Sequence, residues 1–310
     1  MAEDNPRRWY KGDLHFHCER STMAEMLATY QRRGYDFCIS TEHDAVYDVA
    51  THIGSDGLCR LNSSDGLTRQ PLLLIPGSEM SLTIPRGPGQ DGPVPDGMPA
   101  HLGAYPLADP VEKQSPAWVT LAGLRQRPQP PIVTVNHPLA GGTPDRKWGA
   151  NTVLEAIAHG VTHMELNPRN HGIEAALLLW DEVLTAGHHL IGVLTNDAHE
   201  TGNIGRYGST MVRANTLTAA AILEGLRQGD CYALESGSRA RLRRYQLTGG
   251  AVTIAVTGAQ ELHFIGSEGR TRHIAYSEDG QYQPTGAERY VRVEAIDNDG
   301  RRLFTQPLWL

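Results

Sequence analysis

Between about residues 9 and 235, short apolar runs alternate with stretches of helical periodicity. Each run is nearly continuous in apolar character and is bounded by Gly, Pro or polar residues, as in parallel strands that are buried on both faces. The predicted strands cover 36–41, 71–76, 131–136, 162–166 and 190–195, and the predicted helices cover 22–33, 116–126, 151–158, 173–186 and 217–228. This alternation predicts an α/β fold, either a barrel or an open parallel sheet.

After residue 236 the hydrophobic pattern changes to a period of two. Val252, Ile254 and Val256 alternate with Thr and Ala, residues 290–296 alternate again, and 277–280 and 297–300 have the composition of hairpin turns. We therefore predict a metal-hydrolase domain over 1–237 and a small antiparallel β module over 238–310. The Pro- and Gly-rich stretch 85–99 is interpreted as a surface loop or as a loop that overhangs an active site.

Composition narrows the class of protein. The 310 residues are 40% hydrophobic and 20% charged, with a net charge of −7, which gives no general reason to expect a nucleic-acid partner. No apolar run approaches the roughly 18 residues of a membrane span, and the polar start lacks the apolar core of a signal peptide. The four scattered cysteines indicate reduced thiols, so we expect a cytoplasmic protein without membrane partners. A basic run at Arg239, Arg241, Arg243 and Arg244 is interpreted as a solvated edge or a set of interdomain ion pairs.

Histidine carries the chemistry of this sequence. His15 and His17 stand at i and i+2 near the end of an apparent strand, so both imidazoles and Asp13 face the same way. Two imidazoles on one face suit a divalent transition metal. Imidazoles and carboxylates also follow or end later strands, in TEHD, GSEM, AHLGAY, NHP and TNDAHE, and the candidate ligands there are His43, Glu79, His101, His137, Asp197 and His199. Barrels of this class build their active sites at the C-terminal ends of successive strands, so the joint pattern predicts a metal centre there.

Taken in order, GDLHFH, TEHD, GSEM, AHLGAY, NHP and NDAH resemble the motifs of the PHP metal-dependent phosphoesterases. The sequence is most similar to the CehA/McbA-like branch, whose members also carry a segment like 176–187 and end in a small β domain. The resemblance implies a distorted (β/α)7 barrel that holds two or three divalent ions (Zn, Fe or Mn) at its C-terminal rim.

The resemblance also implies how the ligands are shared. The first ion would take His15, His17, Glu79 and Asp197, and the second would share Glu79 and add His101 and His137. The third would use His43, His199 and an acid or histidine shortly after the first motif. Relatives have Ser-Asp-Gly where this chain has Ser21, Thr22 and Met23, and because Thr22 is a poor ligand, Glu19 or Glu25 would have to replace it.

These observations predict metal-dependent hydrolysis of a small phosphorylated metabolite or nucleotide. Two ions about 3.5–4 Å apart can bridge a hydroxide and neutralise a phosphoryl group during in-line attack. The predicted catalytic residues are Asp197, His43 and His199. If Thr22 leaves the third ion site weak, His43 or His199 could be free to protonate the leaving oxygen. Arg20 and Arg206 are predicted to bind phosphate oxygens. A carboxyl-ester or amide hydrolase on the same site and a non-catalytic metal-containing binding module remain the alternatives.

Overall fold

The computed structural model describes residues 7–59, 70–85, 98–139, 148–169 and 172–310. Most of the predicted 85–99 loop, residues 86–97, lies outside these ranges. All five predicted helices are confirmed: α1 Met23–Arg32, α2 Ala117–Arg125, α3 Ala150–Ala158, α4 Ile173–Thr185 and α5 Ala219–Arg227. Within the parts of the chain that the structure describes, none of the helices has both the length and the apolar character that crossing a membrane requires.

The five predicted strands are also confirmed, as β2, β4, β6, β7 and β8 of the first ten strands. These ten are β1 Arg8–Phe16, β2 Phe37–His43, β3 Leu58–Cys59, β4 Leu72–Ile84, β5 Met98–Tyr105, β6 Ile132–Val135, β7 His163–Glu165, β8 Ile191–Val193, β9 Gly208–Ala214 and β10 Cys231–Glu235. Strands β2, β6 and β7 are short and almost entirely buried, so they match the continuous apolar runs of the sequence.

One large sheet runs through the molecule in the order β8-β7-β6-β5-β4-β2-β1-β9-β10 before it continues into the last third of the chain. Strands β1, β2 and β4 are parallel to one another, as are β6, β7 and β8, whereas β5 is antiparallel to both of its neighbours. The shown architecture is therefore a mixed α/β fold with a large sheet.

The described strands do not form a closed ring. Side chains nevertheless contact the outer edge of β8, since the Thr210 hydroxyl bonds to the backbone of Leu194 and the Gln306 amide bonds to both backbone groups of Gly192. Beyond β8, Ala198 pairs with the end of β1 through backbone hydrogen bonds to His15 and His17. These contacts bring the C-terminal ends of β1 and β8 together, and the (β/α)7 barrel stays a prediction.

Every strand pair formed within residues 238–310 is antiparallel among the described residues. The strands are β11 Arg241–Thr248, β12 Ala251–Thr257, β13 Ala259–Gly266, β14 Arg270–Ala275, β15 Asp279–Tyr282, β16 Tyr290–Asp297, β17 Arg302–Thr305 and β18 Leu308–Trp309. Strand β17 pairs with β10, so the large sheet crosses the predicted boundary at residue 237 without a break. The division into two domains stays a prediction.

A buried ion pair joins helix α4 to strand β16. The Asp181 carboxylate accepts hydrogen bonds from Arg292 Nε at 2.9 Å, from Arg292 Nη2 at 2.6 Å and from the Tyr290 hydroxyl at 2.7 Å. Because Arg292 is only 1% exposed, its charge depends on this carboxylate and on Glu294, which contacts Nη1 at 2.7 Å. The predicted 173–186 helix thus carries an acid that connects the two halves of the chain.

Candidate metal centre

All eight predicted metal ligands lie close together at one end of the strands. His15 lies in β1 and His17 directly follows it, His43 ends β2, Glu79 lies in β4, and His137 follows β6. Asp197 and His199 lie in the segment after β8. His101 lies in the first half of β5. It reaches the same end of the sheet as the other ligands because β5 runs antiparallel to its neighbours.

Glu79 lies at the centre of the cluster and is fully buried. Its Oε1 lies 3.3 Å from His15 Nε2, 3.2 Å from His101 Nδ1 and 3.0 Å from His137 Nε2. Its Oε2 lies 3.0 Å from His43 Nδ1 and 3.4 Å from His17 Nε2. One carboxylate that faces five imidazoles has the geometry of a ligand shared between ions.

Three groups of donor atoms surround Glu79, and within each group the atoms lie within 4.8 Å of one another. They are His15, Glu79, His137 and Asp197; His43, Glu79 and His101; and His17, His43 and His199. In this grouping His17 and His137 occupy sets other than those implied by the family resemblance. The three groups are drawn from the eight predicted ligands, and both their binding of metal and the assignment of each to an ion stay predictions.

The donor set fits divalent metal ions. In the described part of the chain, Glu79 Oε2 and Asp197 Oδ1 are buried and accept no hydrogen bond. A buried carboxylate oxygen without a donor is costly unless a cation satisfies it. The ligands are imidazoles and carboxylates with no thiolate among them, which suits Zn, Fe or Mn.

The protonation of the cluster follows from burial and from the neighbouring charges. Burial lowers the pKa of His17 to about 4, which leaves a neutral imidazole able to bind a metal. Burial also opposes the charged form of His15, yet the carboxylates of Glu165, Glu79 and Asp197 raise its pKa well above the usual value. Despite burial, His15 and the adjacent imidazoles lower the pKa values of Glu79 and Asp197, so both carboxyls are ionised.

Backbone strain marks two of the ligands. His137 has a φ of 25° and Asp197 a φ of 48°, a region that residues with a side chain seldom adopt. Strained backbone persists where the surrounding structure holds it, and it concentrates at functional sites. For Asp197 the support comes from Asn196, whose side chain bonds to Asp13, to Tyr35 and to the backbone of Gly208.

Sequence reasoning missed Glu165, which positions two ligands. Its Oε1 lies 2.7 Å from His15 Nδ1, and its Oε2 accepts a hydrogen bond from the backbone N–H of His137 at 2.7 Å. A carboxylate on the far nitrogen of a metal-binding imidazole fixes the tautomer and the ring orientation. The only signal in the sequence is an acid inside a short buried run.

Asp13 and Tyr30 support the metal centre indirectly, through Asn196. Asp13 is fully buried, and its carboxylate accepts hydrogen bonds from the Tyr30 hydroxyl at 2.8 Å and from Asn196 Nδ2 at 2.6 Å. Burial raises the pKa of Asp13 to about 6. The side chain therefore positions the Asn196 segment rather than a ligand imidazole.

The metal cluster opens onto a cavity of about 430 Å³. Both predicted phosphate-binding residues, Arg20 and Arg206, line it together with His199 and Asp197. Arg169, which sequence reasoning also missed, lines the same cavity and pairs with Asp197 Oδ2. Three guanidinium groups beside a metal-ligand cluster form a suitable site for an anionic substrate.

The structure distinguishes Glu19 from Glu25, the two acids that could replace the usual ligand after the first motif. Thr22 is the N-cap of α1 and forms a capping box with Glu25, whose carboxylate accepts from the Thr22 backbone N–H at 2.8 Å. Glu19 instead lies 3.4 Å from His43 Nε2 and 3.8 Å from His199 Nε2. Of the two, Glu19 is the acid beside the third group of donors.

No family model matches the chain, and no curated protein matches it. Among solved structures, the chain is similar to a two-domain protein from Bacteroides vulgatus that contains a predicted PHP-like metal-dependent phosphoesterase. The identity is 17% and the TM-score 0.49, over 97% of this chain and 96% of that one. A second similar structure, of a proposed metal-dependent phosphoesterase from Bifidobacterium adolescentis, has 14% identity and a TM-score of 0.41, over 62% of this chain and 88% of that one.

Both neighbours are described as metal-dependent phosphoesterases. The first description names a PHP-like protein, and the CehA/McbA-like branch stays a prediction.

Proposed function

We propose that the protein is a metal-dependent phosphoesterase that hydrolyses a small phosphorylated metabolite or nucleotide. One observation supports this proposal most strongly. The three groups of metal donors adjoin a cavity that Arg20, Arg169 and Arg206 line. A carbonyl substrate would need one or two donors for its oxyanion, whereas three guanidinium groups match the several charged oxygens of a phosphate ester.

The chain would hold the ions through its eight His, Glu and Asp ligands, with Glu79 shared. Bound divalent ions supply charge neutralisation for the phosphoryl group and lower the pKa of water. Arg20 and Arg206 would bind the non-bridging oxygens and orient the ester for in-line attack. His43 and His199 are partly exposed, and His199 lines the cavity; where no third ion is bound to them, either would be free to donate the proton that the leaving oxygen needs.

We propose further that Glu19 completes a third ion site with His43 and His199. Its carboxylate lies against both imidazoles, and the alternative, Glu25, is engaged in the capping box of α1. A third ion would then bind beside the substrate cavity, which Glu19 and His199 line.

The wider proposal follows the family resemblance. The chain would be a distorted (β/α)7 barrel of the PHP type over 1–237, in the CehA/McbA-like branch, with a small antiparallel β domain over 238–310. It would act in the cytoplasm on small molecules, without a nucleic-acid or membrane partner. The confirmed helices and strands and the convergence of the motif residues support this proposal.

Hydrolysis of p-nitrophenyl phosphate by protein reconstituted with Mn, Fe or Zn tests the activity. We expect turnover that depends on added metal and that falls by at least about 100-fold in Asp197→Asn, since removing a ligand costs more than removing a residue that orients one. The matched control is Asp109→Asn, which changes an exposed acid that is neither a predicted ligand nor a lining residue of the cavity and should leave the rate unchanged.

Parallel assays separate the alternatives. Turnover of p-nitrophenyl acetate but not of the phosphate, with the same dependence on Asp197, would replace the phosphoesterase with a carboxyl-ester hydrolase. Bound metal without turnover of phosphate monoesters, phosphate diesters or carboxyl esters would favour a non-catalytic binding module.

A further inference from the structure

A second cavity, of about 710 Å³, lies where β1 meets the segment that connects β10 to β11. Four cationic side chains line it: Lys11 and Arg33 on one side, and Arg239 and Arg241 on the other. Among the described residues its wall contains a single acid, Glu235. We call it the junction cavity.

The one acid does not neutralise the four cations. Glu235 accepts hydrogen bonds from the backbone N–H of Arg302 at 2.7 Å and from its Nη2 at 3.2 Å, so its charge is already matched. Arg239 lies 3.6 Å from Asp299, but both side chains are exposed and such a pair contributes little. The junction cavity therefore holds an excess of positive charge on a chain whose net charge is −7.

The other three cations form no ion pair with the described residues. Lys11 Nζ donates to the backbone carbonyl of Arg33 at 3.0 Å and lies 4.1 Å from the centre of the Tyr35 ring. Arg241 Nη1 donates to the carbonyl oxygens of Ser238 and Ala240. These bonds hold the two side chains in place. In the described part of the chain Asp36 and Asp13 act on the Lys11 charge, but neither carboxylate lies within ion-pair distance of it.

The arrangement has an electrostatic cost. Burial and the nearby Arg241 lower the pKa of Lys11, and together with Arg33 they outweigh the opposite effects of Asp36 and Asp13. Lys11 and Arg241 are therefore like charges that face each other across the cavity. A fold that brings like charges together across a concave surface gains when an anion lies between them.

The junction cavity is separate from the cavity at the metal cluster. The two share no lining residue. Tyr35 and Asn196 lie between them, since the Tyr35 hydroxyl donates to the carbonyl of Gly208 at 2.9 Å and Asn196 Nδ2 donates to the Tyr35 oxygen at 3.3 Å. One turn still borders both, because Gly205 and Gly208 line the junction cavity while Arg206 and Tyr207 line the other.

We propose that the junction cavity is a second binding site, which takes a small anion carrying phosphoryl groups. Guanidinium and ammonium groups that lack carboxylate partners are the side chains that bind phosphoryl oxygens most strongly. The space is sufficient for a molecule with two such groups. The site does not depend on the proposed function, since none of its residues lines the metal-side cavity.

Calorimetric titration of the full chain with methylenediphosphonate tests the site, because this diphosphate analogue has a P–C–P link that a phosphoesterase cannot hydrolyse. We expect the Lys11→Gln/Arg241→Gln variant to bind at least about tenfold more weakly, since two charge-assisted contacts are lost. The matched control is Arg243→Gln/Arg244→Gln, two arginines of the same basic run that line a different cavity. This control should retain the affinity of the unchanged chain.

Three results would overturn the proposal. The first is no binding of the analogue to the unchanged chain at millimolar concentration. The second is equal weakening in the Lys11/Arg241 and Arg243/Arg244 double variants. The third is loss of binding in Arg20→Gln/Arg206→Gln and not in the Lys11/Arg241 variant, which would place the anion at the metal cluster. Malonate is the matched dicarboxylate, and equal affinity for it would contradict a phosphoryl preference. Thermal melts without ligand show that the variants fold, and the analogue should raise the melting temperature only where Lys11 and Arg241 are present.

Discussion

His15 contacts both a predicted ligand and a residue that only positions ligands. One ring nitrogen faces the shared carboxylate of Glu79 and the other faces Glu165, so the ring is held between two buried acids. Glu165 also accepts a hydrogen bond from the backbone of His137 and thereby positions a second ligand. A single side chain outside the ligand set thus fixes two members of it.

Glu165→Gln tests this positioning role. An amide has one acceptor oxygen, so when that oxygen accepts from the His137 backbone, the NH2 group faces His15 Nδ1. It can donate there only if the His15 proton moves to Nε2, the nitrogen that faces Glu79 and would bind metal. We expect metal affinity to fall by about 10–100-fold, as for other residues that orient a ligand. Competition with a chromophoric chelator measures it. Glu155→Gln on the exposed face of α3 is the control, and an unchanged affinity in Glu165→Gln would show that the carboxylate does not position the ligands.

Glu19 and Glu25, six positions apart, offer a second comparison between residues. Glu19→Gln should remove about one equivalent of metal per chain and leave stability unchanged, because the Glu19 carboxylate faces only His43 and His199. Glu25→Ala should leave metal content unchanged and lower the free energy of unfolding measurably, because it removes the acceptor that completes the capping box. Elemental analysis and urea unfolding of both variants measure the two effects, and the reverse pattern would assign the third site to Glu25.

At the scale of the element, strand direction determines which residues reach the metal centre. His101 lies early in β5, and in a parallel strand that position would be at the far edge of the sheet. Because β5 is antiparallel to β4 and β6, the imidazole meets Glu79 instead. The motif correctly predicted His101 as a site residue, but the reason is the antiparallel direction of β5 and not a position at the C-terminal end of a parallel strand.

The connection between β15 and β16 is held by Glu288, and its effect depends on pH. Burial raises the pKa of this carboxyl, but hydrogen bonds from the Tyr282 hydroxyl and from Thr285 outweigh burial and lower the pKa to about 2. A carboxyl with a depressed pKa in the folded state stabilises the fold above its unfolded pKa of about 4.5, and this contribution is lost as pH falls towards 2.

We therefore expect Glu288→Gln to lower the free energy of unfolding at pH 6 by on the order of 1–2 kcal/mol, and to have little effect at pH 2.5. Urea unfolding of both proteins across this range measures the difference. A difference that stays constant with pH would show that the carboxylate charge is not what holds the turn.

At the scale of the whole molecule, the buried pair of Asp181 and Arg292 connects α4 to the C-terminal strands. Its removal should reveal how strongly the two halves of the chain depend on each other. Burial opposes the Arg292 charge, but Asp181 and Glu294 outweigh it and raise the arginine pKa, so the guanidinium stays charged in the folded protein.

Asp181→Asn should lower the free energy of unfolding by about 3–5 kcal/mol, because it leaves a buried guanidinium without its main partner. Arg270→Gln is the control, since it breaks an exposed pair with Glu268 and should cost less than about 1 kcal/mol. The double variant Asp181→Leu/Arg292→Met should regain most of the loss, because apolar side chains replace both charges. A loss in Asp181→Asn no larger than that of the exposed pair would contradict this account.

Much of the fold and of the candidate site could be predicted from sequence because both rest on local patterns. Each predicted helix and strand is a run whose pattern depends on its own residues, and the predicted ligands other than His101 lie in or near such a strand. The positions of His15, His17, His43 and Asp197 follow from this reasoning.

The tertiary structure decided what depends on residues far apart in the chain. Only pairing across the sheet brings Glu165 to His15, 150 positions away, and Arg169 to Asp197, 28 positions away. Only the path of the chain after His17 separates Glu19 at the cluster from Glu25 at the helix cap. The sequence by itself determined which side chains could bind metal, because donor chemistry and strand periodicity are local. Which of them meet, and which acids and arginines support them, depends on strand direction and long-range packing.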